Sequence, residues 1–178
     1  LMVALLVGVE AARNLAWSWD KPLYGVNHME GHMVSVIEGN KLDASFFNLG
    51  EKPHIALLVS GGHTQLVYVE GIGKYKIIGE TLDDAVGEAF DKVAKMLGLA
   101  YPGGPSIAKA AQGGKPDAIE MPRPMLESKD WNFSFSGIKT HVLRLIQKSS
   151  RNSVVPGSIR ANIAASFQEA VTDVLVAK

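Results

Sequence analysis

The chain has 178 residues, 47% of them apolar, with 18 Lys+Arg balanced by 18 Asp+Glu, so its formal charge is zero at pH 7. This composition excludes a disordered chain, and the zero net charge excludes a protein that holds nucleic acid by bulk electrostatics alone. The absence of cysteine excludes disulfides, thiolate metal sites, iron–sulfur clusters and a cysteine nucleophile together, which leaves His, Asp and Glu as metal ligands.

Apolar residues at helical spacing through Leu5, Val9, Ala12, Leu15 and Ala16 predict a helix over residues 1–18. Glu10 and Arg13 follow its apolar start too closely for a membrane span, and no basic region precedes it, so it reads as neither signal peptide nor anchor. Residues 22–27 read as a short buried strand, followed by a helix over 28–38. The β-rich runs 55–60, 64–70 and 75–80 are separated by Gly61-Gly62 and Gly71-Ile72-Gly73, which predicts an antiparallel meander. A helix is expected over 83–97, a rigid turn over 101–105 and a short helix over 106–112. Three prolines make 113–130 irregular, residues 137–148 are helical, 149–157 form a polar loop, and a last helix runs over 159–177. The first helix opens without an N-cap and the last stops without a C-cap, so a segment of a longer chain is expected.

Four stretches carry residues suited to chemistry. His28 and His32 lie at i and i+4, on one face of a helix, where two imidazoles can share a cation. Glu30 points about 200° from each, unlike the glutamate of the H-E-x-x-H protease motif, and an ordinary surface pair is the alternative. The Ser60-Gly61-Gly62-His63 turn could take positive φ and converge its amides on an anion, or be a plain hairpin turn. Asp84, Glu88 and Asp91 fall within about 60° on a helix, as a ribose-binding ridge or a solvated face. Between Trp131 and Gln168 there is no acid, while Lys139, Arg144, Lys148, Arg151 and Arg160 occur there. His141, Arg144 and Lys148 form one helical ridge, joined by Arg151 if the helix continues, either as a phosphate track or as a solvated face.

Together, His28-Met29-Glu30-Gly31-His32, Leu58-Val59-Ser60-Gly61-Gly62-His63-Thr64, Gly87-Glu88-Ala89-Phe90-Asp91-Lys92, Tyr101-Pro102-Gly103-Gly104-Pro105 and Phe133-Ser134-Phe135-Ser136-Gly137-Ile138-Lys139-Thr140 resemble one family. It is the tRNA N6-adenosine threonylcarbamoyltransferase family of TsaD type, formerly labelled O-sialoglycoprotein endopeptidase, in its bacterial-like branch. The resemblance implies an α/β, two-lobed fold of the actin and sugar-kinase (ASKHA) type, incomplete at both ends. Residues 1–54 would be the C-terminal part of the first lobe, and 55–178 most of the second with a helical insertion. It implies transfer of threonylcarbamoyl from threonylcarbamoyl-AMP to N6 of adenosine 37 in tRNAs reading codons that begin with A, an acyltransferase reaction in which this stretch alone would be inactive.

The same resemblance makes His28 and His32 ligands of one metal ion per subunit, iron or zinc, with a third ligand outside this chain. It makes Leu58, Val59, Ser60, Gly61, Gly62, Asp91 and Gly104 substrate-binding. The implied partners are tRNA, threonylcarbamoyl-AMP, a paralogous subunit and a small ATPase, in the cytoplasm and without a membrane. An ATPase or sugar kinase of the same fold, or a metal-dependent glycoprotease, is the alternative. No residue is marked as a general base.

Overall fold

A computed structural model describes residues 2–39, 53–71, 73–149 and 156–178. The chain divides into two compact units, Leu1–Phe46 and Phe47–Lys178. No helix among the described residues is long and apolar enough to cross a membrane.

The first unit holds helices α1 (Met2–Ser18) and α2 (His28–Gly39). Helix α1 is apolar on nearly every side, and Met2, Leu5, Leu6, Val7 and Trp17 are all exposed. The strand expected over 22–27 is irregular backbone, with Tyr24 and Val26 exposed. Strand geometry is maintained by ladder hydrogen bonds, and these residues belong to no sheet among the described residues. The segment instead delivers Asn27, whose Oδ1 accepts from the amides of Met29 at 2.9 Å and Glu30 at 3.4 Å, capping α2.

The second unit opens with the antiparallel meander β1 (His54–Val59), β2 (Thr64–Gly71) and β3 (Lys74–Glu80), in sheet order β1-β2-β3. Register pairs Val59 with Thr64 and Leu57 with Leu66, so the antiparallel meander expected from the β-rich runs is the sheet that forms. Helices α3 (Val86–Met96), α4 (Gly103–Ala111), α5 (Ser136–Ser149) and α6 (Gly157–Ala177) complete the unit. Their apolar faces enclose one core containing Leu66, Val93, Ile107, Phe133, Phe135, Ile138, Val142, Phe167 and Val171. Burying each of the three phenylalanines contributes about 2–3 kcal/mol.

Two helix starts differ by three residues from those expected. Helix α3 begins at Val86, three residues late, because Asp83 and Asp84 are drawn into contacts described below and Ala85 is extended at φ −66°, ψ 155°. Helix α4 begins at Gly103, inside the expected turn, because Asp91 accepts its first amide. Of the polar loop expected over 149–157, Ser149 and Gly157 belong to helices, and 150–155 lie outside the described residues. The irregular stretch 113–135 is fastened to α6. Asn162 accepts from the Lys115 amide at 3.0 Å, Ser166 Oγ accepts from Ile119 at 3.2 Å, and Arg123 pairs with Asp173 at 2.6 Å.

Candidate functional site

The histidine pair is a product of helix geometry alone. Capped by Asn27, α2 sets His28 and His32 one turn apart, with their Nε2 atoms 3.0 Å apart and their rings in an edge arrangement. Both are exposed, and among the described residues no third His, Asp or Glu completes a metal cluster with them. Two converging imidazole nitrogens could supply two ligands to a borderline cation such as zinc or ferrous iron.

The β1–β2 turn is closed by Ser60, whose amide donates to the His63 carbonyl at 2.9 Å. Ser60 Oγ accepts from the amides of Gly62 at 3.3 Å and His63 at 3.0 Å. Gly61 and Gly62 do not use the positive φ open to glycine, which among the described glycines is taken by Gly73 and Gly98. A Cβ on either Gly61 or Gly62 would meet nothing within 4 Å, so the turn presents bare backbone outward. The close approach is on its inner side, where a Cβ on Gly87 would sit 2.7 Å from the Ser60 carbonyl oxygen. The Gly87 amide donates to that oxygen at 3.2 Å, and the buried Thr64 hydroxyl accepts from Val86 at 2.9 Å. Leu58 and Val59, at the end of β1, lead into this turn from a half-buried and an exposed position.

The expected ridge of Asp84, Glu88 and Asp91 is replaced by a charge-paired cluster, because Asp84 precedes the helix. Asp84 is nearly buried and bonds Lys92 through Oδ1 and Lys139 through Oδ2, each at 2.7 Å. Lys92 also reaches Glu88 at 2.7 Å. Burial works to raise the Asp84 pKa, but the hydrogen bonds from Lys139 and Lys92 outweigh it and hold the carboxyl below its usual range. Hydrogen bonding by Asp84 and Glu88 pushes Lys92 up. Lys139, counted in the acid-free basic stretch, is therefore neutralised in space by an acid 55 residues away.

Asp83 was not among the expected site residues. Its Oδ1 accepts from the amides of Phe135 at 2.8 Å and Ser136 at 3.2 Å, and its Oδ2 accepts from the Ser134 hydroxyl at 2.6 Å. It thus caps α5 from a distant part of the chain. Burial opposes these hydrogen bonds, which nevertheless keep Asp83 below the ordinary carboxylate value. The visible signal was the alternation Phe133-Ser134-Phe135-Ser136: both phenylalanines are fully buried and stacked, while the Ser134 hydroxyl between them bonds the acid.

Asp91 lies on α3 beside a cleft of about 290 Å3 lined by Lys92, Lys95, Leu99, Tyr101 and Gly103 among others. Its Oδ1 accepts from the Gly103 amide at 2.7 Å. Gly104, in the first turn of α4, faces open space at its Cβ position. On α5, His141 is half-buried while Arg144 and Lys148 are exposed; Arg151 lies outside the described residues.

Four of the five motifs thus meet on α3 and its lead-in: the turn through Gly87, the glycine corner through Asp91, and the 133–140 stretch through Asp83 and Asp84. The family model described as TsaD: tRNA N6-adenosine threonylcarbamoyltransferase matches residues 1–178. The curated tRNA N6-adenosine threonylcarbamoyltransferase of Methylobacillus flagellatus is 53% identical over 98% of this chain and 49% of its own length. That of Herminiimonas arsenicoxydans is 51% identical over 98% of this chain and 48% of its own length. That of Bordetella avium is 48% identical over 98% and 49%. The chain spans about half the length of the curated relatives it matches.

Proposed function

Since the chain belongs to the TsaD family of tRNA N6-adenosine threonylcarbamoyltransferases, we propose that this protein takes part in transferring threonylcarbamoyl from threonylcarbamoyl-AMP to N6 of adenosine 37. The substrates would be tRNAs reading codons that begin with A. The observation that carries this reading is the meeting of four motifs on α3, where the bare turn, the Asp91 carboxylate and the open face of Gly104 belong to one hydrogen-bonded frame. A kinase or ATPase reading leaves the histidine pair without a role. A protease reading lacks a water-activating acid next to the first histidine.

In the reaction, N6 attacks the carbamoyl carbon, the bond to the phosphate oxygen breaks, AMP leaves and one N6 proton is lost. A metal held by His28 and His32, iron or zinc, with a further ligand from outside this chain, would supply Lewis-acid polarisation. Asp91 would bind the ribose with the carboxylate oxygen not used on Gly103, and Gly104 would let the nucleoside lie flat against α4. The outward backbone at Gly61 and Gly62, reached from Leu58 and Val59, gives the threonylcarbamoyl arm a surface without side chains. Ser60 occupies the Gly62 and His63 amides, so a substrate oxygen gains them only when the hydroxyl turns away.

The ridge of His141, Arg144 and Lys148, with Arg151 near its end, would bear on tRNA phosphates. Residues 1–54 would complete the first lobe of a two-lobed ASKHA fold and 55–178 most of the second, with a paralogous subunit and a small ATPase as partners in the cytoplasm. The full-length protein, incubated with threonylcarbamoyl-AMP and tRNA, should yield threonylcarbamoyladenosine by nucleoside mass analysis. The His28→Ala, His32→Ala double variant should lose metal and product together. Product formation unchanged in that variant would remove the histidine pair from the reaction.

A further inference from the structure

Helix α5 carries an unsatisfied atom. His141 Nε2 is shut off from solvent and has no hydrogen-bond partner among the described residues. A buried polar atom left unpaired is costly, and such atoms in native proteins mark places where something else supplies the partner. His141 also lines an open groove of about 480 Å3, together with Pro122, Ser136, Gly137, Thr140 and Arg144.

The charges around this groove are mostly committed. Lys139 is paired with Asp84, and Arg123, next to Pro122, is paired with Asp173. The Asp83 carboxylate is itself absorbed by the Ser134 hydroxyl and by the Phe135 and Ser136 amides at the start of α5. The Thr140 hydroxyl donates to the Ser136 carbonyl. Among the cationic and ring groups of the groove, what remains is the exposed Arg144, which enters no ion pair among the described residues, and the ring nitrogen of His141. A guanidinium fork beside an imidazole N–H matches the oxygens of a phosphate.

We infer that the groove between α5 and Pro122 is a pocket for a single backbone phosphate of the RNA substrate, held by the Arg144 guanidinium and, once the His141 ring turns toward the groove, by its Nε2–H. This rests on the tRNA reading above and sharpens it. In place of an evenly contributing ridge, one phosphate is captured at Arg144, and Lys148, one turn further along, contributes only screened attraction.

The test uses the full-length protein, following the histidine ring resonances by NMR while inorganic phosphate is added, with chloride at matched ionic strength as the control. Phosphate, and not chloride, should shift the His141 ring signals, and tRNA should displace the phosphate. Arg144→Gln should weaken phosphate binding at least tenfold and Lys148→Gln less than threefold, with the same ranking for tRNA affinity. No response of His141 to phosphate overturns the pocket, as does equal weakening by the two variants, which is the mark of a diffuse ridge. Phosphate that binds but is not displaced by tRNA also overturns it, and points to a free anion or a protein carboxylate instead. If the unsubstituted protein makes no threonylcarbamoyladenosine, the enzymatic reading falls, while displacement of phosphate by tRNA still decides the pocket.

Discussion

The two units hold their functional residues by different means. In the first, none of the described side chains up to Met33 is buried, and His28 and His32 meet because they are one helical turn apart. In the second, Ser60, Asp84, Asp91 and Lys139 come from three separate stretches and are fixed by a common core and by hydrogen bonds spanning up to 55 residues. A pair set by local geometry tolerates loss of its surroundings. A frame set by tertiary contacts does not, so substitutions should separate the units cleanly.

The largest contrast is in the cores. Phe133→Ala or Phe167→Ala, at fully buried positions, should destabilise the second unit by about 3–5 kcal/mol in urea unfolding. Leu5→Ala, exposed on α1, should change stability by less than about 0.5 kcal/mol. A comparable cost at Leu5 would break the comparison.

Next come the carboxylates that join the motifs. Asp84→Ala leaves Lys139 and Lys92 without their shared anion and should cost about 1.5–3 kcal/mol, whereas Glu88→Ala removes a more exposed contact worth at most about 1 kcal/mol. Both Asp83 and Asp84 sit below their ordinary value of 3.8 when folded. The unfolded chain therefore binds the proton more readily. The stability they contribute is complete above about pH 3.8 and is lost as the pH falls through their lower folded values. An acid-unfolding curve should be flatter in Asp84→Asn, and an unchanged curve would remove Asp84 from that role.

The turn offers a sharper pair. Gly87→Ala forces a Cβ to within 2.7 Å of the Ser60 carbonyl oxygen and should cost about 1–3 kcal/mol, as overpacking does. Gly61→Ala meets nothing and should leave thermal stability close to the parent while weakening threonylcarbamoyl-AMP affinity, measured by calorimetry on the full-length protein. Equal stability losses would mean that Gly61 serves the fold.

The smallest stability effects belong to the exposed histidines, while Asp91 is tested by affinity. His28→Ala and His32→Ala should each shift stability by less than about 0.5 kcal/mol. Asp91→Asn keeps an acceptor for the Gly103 amide and should retain part of the threonylcarbamoyl-AMP affinity, whereas Asp91→Ala should lose both the acceptor and more of the affinity. Identical affinities for all three forms of residue 91 would limit its role to capping α4.

The elements with strong periodicity were legible from the residues alone. Helix α1, the three-stranded meander and helices α5 and α6 follow from spacings of 3.6 and 2.0, because side-chain periodicity is a property of the local backbone. The His28–His32 contact was legible for the same reason. The start of α3 was not, since Asp83 and Asp84 are turned from helix formers into anchors by Lys139 and by the amides of 135 and 136, whose proximity only the folded core creates. The strand expected at 22–27 failed because an apolar hexapeptide becomes a strand only beside a partner. Lys139 in a stretch without acids looked like free charge, and its neutralisation by Asp84 depends on long-range packing that linear spacing does not encode. Local geometry, then, was determined by the sequence by itself, whereas which charges remain free, Arg144 and not Lys139, was decided only when distant segments met.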